Sequence, residues 1–219
     1  MEAAAKGYKG IGMNGAMARW YARTGRGRYE QFKTWARRVA EEAPGSDVLE
    51  VAPGPGYCAI ELAKLGWHRV TGLDISTTFV EIARRNAAEA GVKVDFQWGN
   101  ASEMPFGDSS FDFVFCSAAF KNFSDPVGAL REMYRVLKPG GQALIIDLRR
   151  DATVGEIDSE VDRMSQSNAN RAFIKLTFRL LLLKRAYTKE AIERLVAQTP
   201  FRSAKIGLSG IGMEIGLNK

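Results

Sequence analysis

The sequence predicts an α/β protein built on a mostly parallel sheet. Short apolar runs alternate with amphipathic stretches between residues 47 and 148. Alternation of this kind yields a parallel sheet covered by helices on both faces. The first run ends in a bend, Pro53-Gly54-Pro55-Gly56, and continues as an amphipathic helix, so a strand, a tight turn and a helix start follow one another. Near the C-terminus, Ser209-Gly210-Ile211-Gly212 separates two further runs and predicts a β-hairpin.

Residues 1–27 are Gly-rich, with Met13, Met17, Trp20 and Tyr21 at three- and four-residue steps. That spacing suits a short amphipathic helix, either a cap over a ligand crevice or a helix packed on the sheet. Tyr29–Ala43 reads as a second helix with Phe32, Trp35, Ala36 and Val39 on one face, stopped by Pro44-Gly45. Strands are predicted at Val48–Ala52, Arg69–Leu73, Lys93–Gln97, Phe111–Cys116 and Gln142–Leu148. Helices are predicted at Tyr57–Leu65, Thr77–Ala90 and Pro126–Leu137, and Lys138-Pro139-Gly140-Gly141 reads as a sharp turn. Thr153–Ser167 is polar and helical in character. Ala169–Ala186 is apolar apart from a basic stripe at Arg171, Lys175 and Arg179. Thr188 caps another helix, and the hairpin runs are Arg202–Leu208 and Met213–Leu217. The expected organisation is one domain over 1–219: a helical cap (1–46), a core (47–148), variable lid helices (149–187), and a C-terminal helix and hairpin (188–219).

The 219 residues suffice for one domain with a real core, and 46% hydrophobic with 26% charged residues is ordinary for a globular protein. The start, MEAAAKGYKG, has no apolar signal-peptide core, and the longest apolar run of the tail, Leu180–Leu183, is far too short to span a bilayer. Two cysteines, Cys58 and Cys116, give no disulfide framework, so the expected location is a reducing cytoplasm. Net charge is +6, and residues 1–40 hold nine Lys or Arg against two Glu. Such an arm is either a solvated face or an attractor of nucleic acid, an anionic membrane surface or an acidic substrate.

The bend can serve two ligand classes. Gly54-Pro55-Gly56-Tyr57-Cys58-Ala59 fits the loose G-x-G-x-x-G/A pattern, with Asp74 twenty residues after Gly54. Pro53 and Pro55, however, have no N–H to offer a pyrophosphate, and Glu50 would place negative charge beside it. A ligand with an ammonium and a sulfonium suits Glu50 better. S-adenosyl-L-methionine is such a ligand.

LEVAPGPG, GLDIS, GNASEMPF, SSFDFVFCSAAFKNFSDP and REMYRVLKPGGQALIID occur in that order between Asp47 and Asp147. Together they resemble a class I S-adenosylmethionine-dependent methyltransferase (methyltransferase type 11), in the branch of the ubiquinone/menaquinone C-methyltransferases. The resemblance implies a Rossmann-like seven-stranded sheet, mostly parallel with an antiparallel C-terminal strand. Two positions depart from the pattern: Ala52 replaces the first glycine of E/D-x-G-x-G-x-G, and Asn100 stands where many members carry Asp.

By that resemblance, Glu50, Ala52, Pro53, Gly54 and Gly56 cup the methionine part. Asp74 takes both ribose hydroxyl protons, and Ile75 flanks the adenine. The Asn100 side-chain oxygen accepts from the adenine amino group, and the Ala101 N–H reaches a ring nitrogen. The backbone of Ser117 and Ala118 faces the methionine part. Phe120, Lys121 and Asn122 line the mouth, with core packing the alternative for Phe120. Asp147 either touches substrate or anchors the loop at Arg149 and Arg150. Asp147, Tyr21 and Asn122 are the catalytic candidates, and Tyr8 and Tyr29 are further polar contacts. His68 is placed on the edge opposite the crevice. Cys58 lies in a first helical turn, where the dipole favours thiolate, and small buried filler is the stronger reading for it and for Cys116. No metal site is expected.

The expected reaction is in-line transfer of a methyl group from S-adenosyl-L-methionine to a small, hydrophobic acceptor, leaving S-adenosyl-L-homocysteine. The apolar Phe173–Leu183 segment and the aromatic N-terminus motivate the acceptor class, and a core helix or dimer surface is the other reading of that segment. Expected partners are the acceptor, peripheral membrane contact, and a monomeric or homodimeric state. A nucleic-acid methyltransferase is disfavoured, since neither an Asn/Asp-Pro-Pro-aromatic run after the fourth strand nor a Pro-Cys dipeptide occurs. A non-methylating cofactor-binding protein and a nicotinamide oxidoreductase are the remaining alternatives.

Overall fold

The computed structural model describes residues 7–9, 12–25, 29–163, 175 and 183–219. Its strands are β1 (Asp47–Val51), β2 (Arg69–Asp74), β3 (Asp95–Trp98), β4 (Phe111–Ser117), β5 (Leu137–Leu148), β6 (Lys205–Ser209) and β7 (Gly212–Asn218). Its helices are α1 (Gly15–Gly25), α2 (Tyr29–Glu42), α3 (Tyr57–Lys64), α4 (Thr77–Glu89), α5 (Pro126–Val136), α6 (Val154–Arg163) and α7 (Lys189–Val196), with a single turn at Leu183–Arg185 and a 3-10 turn at Phe120–Asn122. The strands form one seven-stranded sheet in the order β3-β2-β1-β4-β5-β7-β6. Only β7 runs antiparallel, against both β5 and β6.

Side-chain alternation along β1 sorts the core. Val48 and Glu50 face the layer of α2, α3 and α4, while Leu49 and Val51 face α5 and α7. Val48 pairs across to Val70 on one side and Phe113 on the other, so β1 is an interior strand. Strand order reverses between β1 and β4, which opens a crevice beyond their carboxyl ends. Two of the helices that flank it, α4 and α5, start on side-chain caps. Ser76 accepts from the Phe79 N–H to begin α4, and Asp125 accepts from the Gly128 N–H to begin α5 with Pro126 behind it. Thr188 caps α7 through the Ala191 N–H, as its sequence predicts.

Two expectations change. The helical period of α1 holds, but the buried face carries Ala18 and Ala22 against Phe79 and Ile82, while Met17 and Trp20 point to solvent. Small residues seat this helix because α4 lies close beneath it. The stretch Lys138–Gly141 is not a free turn: β5 already begins at Leu137, with a shifted register against β4 between Phe111 and Phe113. Gly140 takes φ +79 there, and Gly140 and Gly141 bond to Lys219 at the end of β7, which holds the irregular stretch in the sheet. Cys58 is 2% exposed, and burial pushes its thiol well above the usual range, which agrees with its stronger reading as small buried filler. The proposed lid at 173–183 and the basic positions 171 and 179 lie outside the described residues, except for Lys175, which pairs with Asp158 at 3.1 Å, and Leu183, which is buried. Among the described residues no helix is long and apolar enough to cross a membrane.

The bend after β1 carries the tightest local constraints. Gly56 sits at φ +79, where a Cβ would lie 2.6 Å from Phe96 Cζ and 3.0 Å from Ala83 Cβ. Gly56→Ala is therefore expected to cost about 2–4 kcal/mol, left-handed strain plus overpacking. Ala52 also adopts a left-handed φ, +57. Ala52→Gly relieves that strain but loosens the unfolded chain, so stability should change by less than about 1 kcal/mol. Urea midpoints at unchanged m-value check both.

Candidate functional site

A cavity of about 1320 Å3, open to solvent, occupies the crevice at the strand tips. Its floor is the end of β1 and the bend from Ala52 to Pro55. One wall is Asp74, Ile75 and Ser76 after β2, with Gly99, Asn100 and Ala101 after β3. The opposite wall is Ser117, Ala118, Ala119, Asn122 and Phe123. The roof comes from Gly7, Tyr8 and the entry to α1, with Phe32 and Trp35 of α2 closing the back.

The roof is pinned by the backbone. Lys9 N–H donates to the Asn122 carbonyl at 2.7 Å and Ser124 N–H donates to the Gly7 carbonyl at 3.1 Å, with Tyr8 bridging Phe123. On the other side the Ser76 hydroxyl reaches the Met13 carbonyl and Asn14 Oδ1. Gly15 N–H donates to Thr78 Oγ1 at 3.0 Å. Residues far apart in sequence are thereby fixed over the same hollow.

Glu50 is 3% exposed, and its Oε2 has no hydrogen-bond partner. Burial raises its carboxyl to about 8; the Ala59 amide in the first turn of α3 pulls the other way, and Asp74 adds a small push upward. A buried carboxyl with an unused oxygen on a cavity floor is a receptor for a cationic or donor group. Gly54, at φ +55, has open space where a Cβ would project, which leaves room for a ligand against its backbone.

Asp74 is differently placed. Its Oδ2 accepts from Gly54 N–H at 2.9 Å and its Oδ1 from Ser76 N–H at 2.8 Å. It thus bolts the bend to the end of β2, and burial still lifts it to about 6. Each carboxylate oxygen keeps a further acceptor site toward the cavity. Because Gly54 N–H is spent on Asp74 and both prolines lack one, the bend offers little to a pyrophosphate.

Of the cofactor-binding positions expected from the sequence, all line the cavity except Gly56. Its missing side chain makes room for Phe96 and Ala83 instead. Asn100 is engaged within its own turn. Its Oδ1 accepts from the Ser102 N–H at 3.1 Å and the Ser102 hydroxyl at 3.0 Å, so that hydroxyl would have to turn away for the oxygen to take an adenine amino group. The Ala118 backbone is also committed: its N–H donates to the Ile146 carbonyl at 2.7 Å and its carbonyl accepts from Lys121 Nζ at 2.6 Å.

Among the catalytic candidates, Tyr21 and Asn122 line the cavity and Asp147 does not. Asp147 is 7% exposed, pairs with Lys121 Nζ at 2.7 Å, and accepts from the Lys121 and Leu148 N–H groups. It is a structural anchor that acts through Lys121 on the left-handed Ala118 turn. Phe120 is 1% exposed core, and Lys121 is buried with Asp147, so neither lines the mouth. Tyr29 is also outside the cavity, donating to Glu61. His68 borders Arg69, whose partner Asp47 starts β1, so it lies at the far edge. Tyr8 is in the cavity, and burial raises its phenol above the usual value, keeping it a neutral donor. Phe79, Phe123, Phe32 and Trp35 complete an aromatic lining. Sequence periodicity assigned the last two to packing, and their partial exposure is the only sign that they border a hollow.

Residues 49–145 match the profile of the family described as Methyltransferase domain. The demethylmenaquinone methyltransferase of Deinococcus radiodurans is 37% identical over 117 residues, 52% of this chain and 48% of that protein. The chain therefore spans about half the length of the curated relatives it matches. The fold matches that of a solved protein from Methanococcus maripaludis, a candidate S-adenosyl-L-methionine-dependent methyltransferase. The TM-score is 0.76 at 22% identity, over 93% of this chain and 92% of that one. It also matches the plantazolicin methyltransferase BamL, solved with a substrate analogue and SAH, with a TM-score of 0.66 at 16% identity over 92% and 88%.

The Glu50 environment sets a pH dependence. Its carboxyl is raised above the unfolded value, so the folded state holds the proton more tightly and gains stability at low pH. Unliganded stability should therefore fall as pH rises from about 5 to about 8. Asp74, lifted to about 6, adds to the lower part of that fall, so Glu50→Gln should flatten the slope between about pH 6 and 8; an unchanged slope there in urea melts would contradict the assignment.

Proposed function

We propose, from the premise that residues 49–145 form a methyltransferase domain, that this protein moves a methyl group from S-adenosyl-L-methionine to a small apolar acceptor. The observation that carries the reading is the unpartnered Glu50 Oε2 on the cavity floor. When bound, the cofactor supplies a methyl group already activated on a sulfonium. The chain then has mainly to bind, orient and exclude water.

Glu50 holds the cationic end beside the open Gly54 backbone. Asp74 takes the ribose hydroxyls on its remaining acceptor sites. Ile75 and the Asn100–Ala101 turn flank the adenine, with the Ala101 N–H toward a ring nitrogen. The aromatic lining at Phe32, Trp35, Phe79 and Phe123 suits a flat, apolar acceptor, and Tyr8, Tyr21 and Asn122 supply neutral polar contacts. Neither His nor Lys lines the cavity among the described residues, and both its carboxyls are assigned to the cofactor, so an acceptor whose nucleophile ionises readily fits best. A phenol-like ring or its carbanion meets that need, and the relatives' name, demethylmenaquinone methyltransferase, supports an acceptor of that quinone class. The two buried, unpaired cysteines suit work in the cytoplasm.

S-adenosyl-L-homocysteine at about 100 times its dissociation constant should add about 2.7 kcal/mol, a melting rise of about 5–10 °C. Asp74→Ala should lose most of that rise relative to its own unliganded melting point. Absence of a shift in the wild type, or a shift with NAD instead, would overturn the reading.

A further inference from the structure

Helix α1 presents three faces. Ala18 and Ala22 are buried on α4. Tyr21, with Met13 just before the helix, turns to the cavity. The remainder meets solvent, and there Met17 is 41% and Trp20 56% exposed. At about 100° per residue, Met17 lies between Trp20 and Tyr21 around the helix, so the apolar strip runs up to the cavity mouth. Arg19 and Arg23 take the opposite flank. With Arg85 and Asn86 of α4 they line a shallow surface hollow. Among the described residues Arg19 and Arg23 make no ion pair, and Arg85 has only Glu89 at 3.8 Å.

An exposed Trp and Met beside a row of arginines is the composition of a helix that lies in the interface of a negatively charged bilayer. The arginines would meet lipid phosphates, and the indole would sit at headgroup level. A second copy of the chain fits less well. Met17 and Trp20 offer far less than the ~800 Å2 that each partner buries in a stable complex. A nucleic acid would use the arginines and leave Met17 without a partner.

We infer that the outer face of α1 docks the protein on an anionic lipid surface, with the Met17–Trp20 strip leading a membrane-dissolved acceptor to the cavity mouth. The acceptor's route rests on the proposed function; the docking does not.

Co-sedimentation with phosphatidylcholine vesicles, with and without phosphatidylglycerol, tests it. The wild type should sediment with the anionic vesicles and not with phosphatidylcholine alone. Arg19→Gln/Arg23→Gln should lower partitioning about tenfold or more, and Trp20→Ser should weaken binding even at high salt. The shift with S-adenosyl-L-homocysteine should persist in every variant, which separates lost docking from misfolding. A wild type that ignores anionic vesicles overturns the inference, as does a Trp20→Ser variant that binds as well as wild type. Tighter binding to a duplex oligonucleotide, dependent on the arginines and not on Trp20, overturns it in favour of nucleic acid. Vesicle binding by a protein that S-adenosyl-L-homocysteine does not stabilise upholds the docking and strikes the methyl-transfer reading alone.

Discussion

The carboxyl of Glu50 lies beneath the bend with one oxygen that takes no hydrogen bond among the described residues. Leaving such a group buried costs folding free energy, and ionising it there costs more. The unliganded protein meets this by retaining the proton to about pH 8. Glu50 borders the cavity but is only 3% exposed, and the one charge that acts on it, Asp74, adds repulsion. A cation of the right size would relieve both costs at once. The bend, the open backbone at Gly54 and the aromatic lining are arranged around that demand.

The two carboxylates of the site have divided roles. Glu50 is under-satisfied and therefore selective for charge. Asp74 is already held by two backbone amides and therefore rigid. Because Asp74 fixes the bend that lies against Glu50, the geometry of one depends on the other. A third buried carboxylate, Asp147, is spent on Lys121. That pair supports the Ala118 turn on the opposite wall, where a non-glycine residue takes φ +55. Charge is thus used for shape on one wall and for recognition on the floor.

The fold was legible because its signals are local and repeated: alternation, caps such as Thr188, and the glycine-bearing turns. The positions at the strand tips were legible for the same reason, since strand ends dictate what faces the crevice. What failed was orientation decided by tertiary partners. Met17 and Trp20 match a buried period, yet Ala18, Ala22 and Tyr21 take the surface against α4. Asp147 and Phe120 follow strand tips as site residues do, but a lysine two positions from Ala119 turns one into an anchor, and the core absorbs the other. Asn100 keeps its place in the cavity, and its contacts with Ser102 are a detail that no pattern in the sequence marks.

The central claim is that Glu50 is protonated in the unliganded protein and charged against a bound cation. Calorimetry in buffers of different ionisation enthalpy measures the protons exchanged on binding S-adenosyl-L-homocysteine. At pH 7 the account predicts release of close to one proton, roughly the protonated fraction at a carboxyl near 8, and almost none from Glu50→Gln. Equal proton release from both proteins, or none from the wild type, would contradict it.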